Sequence, residues 1–138
     1  MRRLTITATL IAAGCLLCPG CAPTYRDPAT GTEAWYDWET LRAKLDEPIS
    51  TAYAAARDAA GEFDLRTLRC DLDGISAEIV ALDAQVETVY IRLEALPESR
   101  SLLTIRVGLF GSKNKSIVLF SKIMEELDEQ VSEVPDDP

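Results

Sequence analysis

The chain has 138 residues, of which 47% are hydrophobic, enough for one modest domain once an N-terminal leader is set aside. Its formal net charge of −9 argues against binding a nucleic-acid backbone and against electrostatic attachment to anionic lipid. The absence of histidine removes the commonest general base and metal ligand, so we expect no cofactor and no metal.

The stretch from Leu4 to Cys21 reads LTITATLIAAGCLLCPGC and follows two arginines. A short basic start, an uncharged run and small residues are typical of a secretory leader. The run is too short for a comfortable bilayer span, which needs roughly 20 apolar residues. We therefore predict a signal peptide over residues 1–20 and a protein that is exported to the cell envelope.

Two cysteines in this leader follow a small residue, as in the bacterial lipobox, where the cysteine becomes the lipid-bearing N-terminus. Cys21 gives a leader of ordinary length, whereas Cys15 has the better local residues but leaves a short leader. We predict lipidation at Cys21, with Cys15 as the alternative site. A second alternative is an ordinary cleaved signal peptide in which neither cysteine is lipidated. Ala22 follows Cys21, which favours a periplasm-facing anchor in the outer membrane over one in the inner membrane.

Cys18 and Cys21 also have the Cys-x-x-Cys spacing of thiol redox motifs. A redox pair needs a strand-to-helix context that lowers the pKa of one thiol, and this pair ends an export leader instead. The redox function is therefore the weaker hypothesis. With Cys21 lipidated, Cys70 is the free thiol of the mature domain.

The N-terminal half of the mature chain predicts a tether, a strand and a helix. Residues 21–33 are rich in turn-forming residues and have no periodicity, which predicts a flexible tether. Residues 34–45 alternate in their second half and predict the first strand of the domain. Its aromatic residues Trp35, Tyr36 and Trp38 are interpreted as a cap on the core rather than a ligand platform. Pro48 opens a helix that should stop near Glu62.

The middle of the chain predicts four strands. Residues 65–71 form a weaker strand with Leu68 and Cys70 inward, followed by a tight turn at Asp73-Gly74. Alternating apolar residues then predict three strands with short connections, and so an antiparallel meander. The inward positions of these three strands are Ile75, Ala77, Ile79 and Ala81; Val89, Ile91 and Leu93; Leu103, Ile105, Val107 and Leu109.

The segment from Gly108 to Ser112 predicts a sharp turn into the last helix. We expect a positive φ at Gly108 or Gly111, an inward Phe110, and Ser112 as the helix cap. The apolar stripe of this helix is Ile117, Phe120, Ile123, Met124 and Leu127. Residues 131–138 form an acidic, proline-ended tail that should be disordered.

These elements predict an α+β domain over residues 34–130. The expected architecture is a two-layer sandwich of a five-stranded, mostly antiparallel sheet with two helices on one face, in the order β-α-β-β-β-β-α.

The segment Thr104–Gly111, TIRVGLFG, resembles the hallmark of a family of small bacterial lipoproteins of unknown function. Further matches are Ala52-Tyr53-Ala54-Ala55, Asp73-Gly74-Ile75-Ser76-Ala77 and Val89-Tyr90-Ile91-Arg92-Leu93. The resemblance covers Leu41 to about Leu127. It implies a periplasm-facing lipoprotein with a small α/β domain and no known activity to carry over.

The uncovered face of the predicted sheet offers a docking surface for another envelope protein. We take Tyr90, Arg92 and Arg106 as candidate partner-binding residues, and we expect Arg106 either to help position the last strand or to pair with a cross-strand acid such as Glu94 or Glu78. The favoured function is a non-catalytic binding or structural module. The alternative is a hydrolase or transferase that uses paired carboxylates such as Asp71 and Asp73, which requires two acids in a pocket with separated pKa values.

Overall fold

Seven strands and two helices make up the part of the chain that the computed structural model describes, residues 24–133. In chain order they are β1 (Thr24–Arg26), β2 (Glu33–Asp37), β3 (Thr40–Leu45), α1 (Ile49–Glu62), β4 (Arg66–Leu72), β5 (Ser76–Leu82), β6 (Thr88–Leu96), β7 (Arg100–Val107) and α2 (Lys113–Ser132). The strands form one sheet in the order β1-β2-β3-β7-β6-β5-β4, with every neighbouring pair antiparallel. The predicted α+β class with two helices on an antiparallel sheet is confirmed, but the predicted number of five strands is wrong.

The two additional strands come from the region before α1. Thr24–Arg26, inside the segment predicted as a tether, pairs with β2, and the turn between them is held by the buried Asp27, whose Oδ2 accepts hydrogen bonds from the Thr30 amide and hydroxyl at 2.9 Å. Residues 34–45, predicted as one strand, fold into the β2–β3 hairpin. Its turn residues Trp38 and Glu39 have φ values of 46° and 64°. Neither residue type favours this left-handed conformation, so the sequence did not indicate the turn.

The core lies between the sheet and the two helices. Leu41, Ile105, Ile91 and Ile79 stand side by side across β3, β7, β6 and β5, and all four are buried. α1 covers the β4–β5–β6 side of the sheet with alanines, which allow its backbone to approach the sheet closely, and α2 covers the β3–β7 side. α2 contributes larger side chains, led by Phe120. The alternation predicted for β5, β6 and β7 and the apolar stripe predicted for α2 are confirmed.

Several side chains predicted to point inward are exposed. Ile75 lies in the β4–β5 turn, before β5 begins, and is 74% exposed. Leu68 and Cys70 are exposed because β4 is the edge strand of the sheet, with a bulge between Thr67 and Arg69. Phe110 and Leu109 are also exposed, since the chain turns at both ends of this pair, with φ of +76° at Gly108 and +71° at Gly111. The positive φ predicted for these glycines is confirmed.

Both predicted helices are present. α1 begins after Pro48 and ends at Glu62, as predicted. Ser112 caps α2, its hydroxyl accepting from the Lys115 amide at 3.4 Å, and this helix continues to Ser132, inside the segment predicted as a tail. The predictions for Cys15, Cys18, Cys21 and residues 134–138 lie outside the described residues.

Candidate partner-binding face

The side chains that point away from the helices form one uncovered surface, here called the open face. Tyr90 of β6 and Arg106 of β7 are direct cross-strand neighbours on it, and Arg92 lies two residues further along β6, opposite Thr104. Together with Thr40, Glu78 and Thr104, these three side chains line a shallow depression of about 290 Å³. The fold therefore brings the three residues predicted for partner binding into one place.

Arg106 is anchored on one side and unsatisfied on the other. Its guanidinium donates to the Leu109 carbonyl oxygen and lies 3.4 Å from Glu39 Oε2, while its Nε is buried without an acceptor among residues 24–133. The predicted pairing with Glu94 or Glu78 is wrong. Glu78 is taken by other arginines, and Glu94 lies opposite Ser76 and Leu102, four residues from Tyr90 along β6.

Arg92 shares its carboxylate with a second arginine. Glu78 accepts a hydrogen bond from Arg69 of β4 and lies 3.3 Å from the Arg92 guanidinium. The hydrogen bond from Arg69 is the main cause of a lowered pKa of Glu78, and Arg92 adds to it against the opposing effect of burial. Arg92 is the less tightly engaged of the two and keeps a largely exposed guanidinium.

Tyr90 joins two depressions on the open face. A second depression of about 380 Å³ begins on its other side, lined by Val86, Leu109 and Arg106 among others. The Tyr90 ring is nearly half-exposed and lies opposite Val80 of β5. A rigid, partly exposed tyrosine beside arginines is the kind of residue group that carries binding energy at protein interfaces.

The open face concentrates the basic residues of an acidic protein. Its side chains follow from the strand registers: they alternate with buried positions within the inner strands, and those of β4 stand opposite outward positions of β5. Eight of the twelve basic residues between 24 and 133 lie there: Arg26, Arg42, Lys44, Arg66, Arg69, Arg92, Arg100 and Arg106. The acidic residues of the same face are five: Glu33, Asp37, Asp71, Glu78 and Glu94. The face thus has a basic excess, although the chain has a net charge of −9.

The aspartates proposed for carboxylate chemistry have structural partners. Asp71 lies 3.1 Å from Arg69, and Asp73 holds the β4–β5 turn by accepting from the amides of Ile75 and Ser76 at 2.8 and 2.9 Å. The Ile75 amide is the first cause of a lowered pKa of Asp73. Asp71, Asp73 and Glu78 line a separate depression at the β4–β5 end of the open face. The pKa values of Asp73 and Glu78 are both lowered, opposite to what a general acid needs.

The predicted turn at Asp73-Gly74 is present, but Gly74 has no positive φ. The Asp73 carboxylate, rather than a left-handed glycine, makes this turn. Within residues 24–133, no three His, Cys, Asp or Glu side chains come together as a metal site. Among the same residues, no helix has the length and hydropathy needed to cross a bilayer.

Sequence reasoning missed the residues that organise one end of the open face. Glu39 of the β2–β3 turn holds Arg106, and Lys115 of α2 reaches Asp83 at 2.9 Å and Glu87 at 3.1 Å in the β5–β6 loop. The hydrogen bond from Lys115 is the main cause of a lowered pKa of Asp83. These contacts join residues 28 to 67 positions apart, so no local pattern could have indicated them.

Comparison with known proteins gives a family without an assigned activity. The family model described as Protein of unknown function (DUF3568) matches residues 4–126. No curated protein matches the chain.

Proposed function

The chain belongs to the family of proteins of unknown function DUF3568, and from that premise we propose that it is a lipid-anchored cell-envelope protein that binds another envelope protein. In this proposal it acts as a non-catalytic binding or structural module. The partner contacts the open face around Tyr90, Arg92 and Arg106. Acyl chains on Cys21, with Cys15 as the alternative, hold the module at the outer membrane, facing the periplasm.

The depression around Tyr90 is the observation that supports partner binding. It combines an aromatic ring, two guanidinium groups and the hydroxyls of Thr40 and Thr104 on a surface that neither α1 nor α2 covers. The largely exposed Arg92 guanidinium can donate to an incoming carboxylate or carbonyl oxygen. The basic excess of this face favours a partner with exposed acidic side chains.

Position-specific photo-crosslinking in cells tests the binding surface. A photoreactive phenylalanine analogue replaces Tyr90 on the open face or, as the matched control, the exposed Ala54 on α1. We expect a crosslinked protein from position 90 alone. With that protein purified, Tyr90→Ala should weaken binding by about 2 kcal/mol, or about 30-fold in Kd. Equal crosslinking from both positions, or none from position 90, would refute the binding surface.

Intact-mass measurement of the mature protein tests the anchor. The proposal expects a mass that begins at Cys21 and includes acyl chains, and it expects Cys21→Ser to remove them while Cys15→Ser leaves them in place. Acylation at Cys15 would correct the site only. A mature protein without acyl mass would remove the anchor from the proposal.

A further inference from the structure

Four large apolar side chains project from one end of the domain, here called the apolar end: Trp38, Val86, Leu109 and Phe110. Their exposed fractions are 89%, 73%, 76% and 77%. They belong to three loops, the β2–β3 turn, the β5–β6 loop and the β7–α2 segment. Water-exposed tryptophan and phenylalanine at loop tips are unfavourable for a domain that is surrounded by water, so this end requires an explanation.

The three loops form one continuous surface. The β7–α2 segment packs on the β2–β3 turn so closely that a Cβ on Gly111 would lie 2.6 Å from Glu39 Cβ and nearer still to the Glu39 carbonyl oxygen. The start of β6, directly after the β5–β6 loop, is joined to the same segment by the hydrogen bond from the Gly108 amide to the Thr88 carbonyl at 2.8 Å. An apolar cavity of about 340 Å³, lined in part by Phe63 and Val118, continues this surface toward the helices.

The charges of the two ends differ. At the apolar end, Glu39 is paired with Arg106, and Asp83 and Glu87 are paired with Lys115. The opposite end carries acidic turn residues, and the last turns of α2, about 30 Å from its start, add more. The acidic residues of the turns at the opposite end are Asp27, Asp46, Glu47, Asp73 and Glu98, followed by Asp128, Glu129 and Glu133 of α2 and its C-cap. They outnumber the basic residues of the same end, Arg26, Lys44 and Arg100. An anionic surface would therefore repel the opposite end more than the apolar end.

The first described strand, β1, begins at its end nearer to the apolar end. Thr24 is paired with Trp35, and β1 runs antiparallel to β2, which itself leads to Trp38. The N-terminal end of β1, at Thr24, therefore points toward the apolar end. Cys21 precedes Thr24 by three residues, which span at most about 10 Å. An acyl anchor on Cys21 would thus keep the domain close to the bilayer rather than at the end of a long tether.

We propose that the apolar end rests on the membrane, with Trp38, Leu109 and Phe110 inserted into the bilayer interface beside the acyl anchor. This inference rests on the proposed lipidation of Cys21. Tryptophan favours the headgroup level of a bilayer, and leucine and phenylalanine favour the acyl region beneath it. In this orientation the sheet stands upright on the membrane. Tyr90 and Arg92 of the open face therefore remain accessible to a partner.

Tryptophan fluorescence of the acylated protein in vesicles tests the orientation. The chain has two tryptophans, so Trp35→Phe leaves Trp38 as the reporter, and Trp38→Phe leaves Trp35 as the matched control two residues from the hairpin turn. Vesicles of phosphatidylethanolamine and phosphatidylglycerol carry phosphatidylcholine that is brominated near its headgroup. We expect bromine to quench Trp38 strongly and Trp35 weakly, with a blue shift of Trp38 emission.

A charge placed at either end provides a second contrast. Phe110→Glu should lower the quenching of Trp38 to the level of Trp35, whereas Ile75→Glu, an equally exposed position at the opposite end, should leave it unchanged. Vesicle flotation and intact mass are measured on the same samples.

Acylated protein that floats with its vesicles but shows no quenching of Trp38 would overturn the orientation and leave the anchor standing. A photoreactive phenylalanine analogue placed at position 110 that crosslinks two copies of the chain would overturn the orientation in favour of self-association. Protein without acyl mass would overturn the anchor, and this inference with it.

Discussion

The close approach of Gly111 to the β2–β3 turn can be measured with a series of glycine-to-alanine substitutions. Gly111 has φ +71°, and an added Cβ would lie 2.6 Å from both Glu39 Cβ and the Tyr36 hydroxyl oxygen. Gly31 has nearly the same φ, +72°, but a Cβ there would meet no atom within 4 Å. The two positions therefore share the backbone strain and differ in the steric contact.

The expected costs follow from these two terms. A left-handed φ costs a non-glycine residue about 1–2 kcal/mol, partly offset by the lower entropy of the unfolded chain, so Gly31→Ala should cost about 1 kcal/mol. Gly111→Ala adds the displacement of packed atoms, about 1–3 kcal/mol, for a total of about 2–4 kcal/mol. Gly61 lies in α1 with open space around it, so Gly61→Ala should instead stabilise the protein by about 0.5–1 kcal/mol.

Urea unfolding followed by circular dichroism measures the three free energies of unfolding. In thermal unfolding, the Gly31 substitution corresponds to a loss of roughly 4 °C and the Gly111 substitution to about 8 °C or more. The contrast between Gly111 and Gly31 is the decisive quantity. Equal losses at the two positions would show that the β7–α2 segment does not pack against Glu39, and the continuous apolar end would then lose its main support.

Two further substitutions test the edge of the sheet and the helix layer. Tyr25 of β1 packs edge-on against Phe120, with 6.0 Å between ring centroids, and its hydroxyl forms a hydrogen bond of 2.9 Å with the Ser121 hydroxyl. Tyr25→Ala should therefore lower the free energy of unfolding in urea by about 2 kcal/mol. If residues 21–33 were a flexible tether, the substitution would give no change. Burial raises the pKa of Glu126, and the nearby Glu62 adds to the rise, so the folded protein disfavours the charged form and loses stability as pH rises through the folded pKa. Glu126→Gln should raise Tm near pH 7.5 and change it little near pH 4, and an equal change at both pH values would contradict the assignment.

The elements that the sequence predicted correctly are those whose signal is local. Ile79, Ile91 and Ile105 alternate with exposed residues because the two faces of a strand meet different surroundings, and that period of two is written in the sequence itself. The apolar stripe of α2 and its Ser112 cap follow from the period of the helix and the unpaired amides of its first turn.

The sequence predicted which residues share the candidate site but not the contacts that they make. Alternation placed Tyr90, Arg92 and Arg106 on one face, and the resulting sheet puts them around one depression. The partner of Arg106 could not be predicted, because it depends on the β2–β3 hairpin, whose turn at Trp38 and Glu39 has none of the residues that favour a left-handed backbone.

The amino-acid sequence alone determined both helices and the buried side chains within β5, β6, β7 and α2, because hydrophobic periodicity is a property of neighbouring residues. Tertiary structure decided how those elements are ordered in the sheet, and therefore that β4 lies at an edge with Leu68 and Cys70 exposed. It also decided that Trp38, Val86 and Phe110, far apart in the chain, share one end of the domain. Long-range packing sets these features, since it depends on which distant segments fill the space beside each loop.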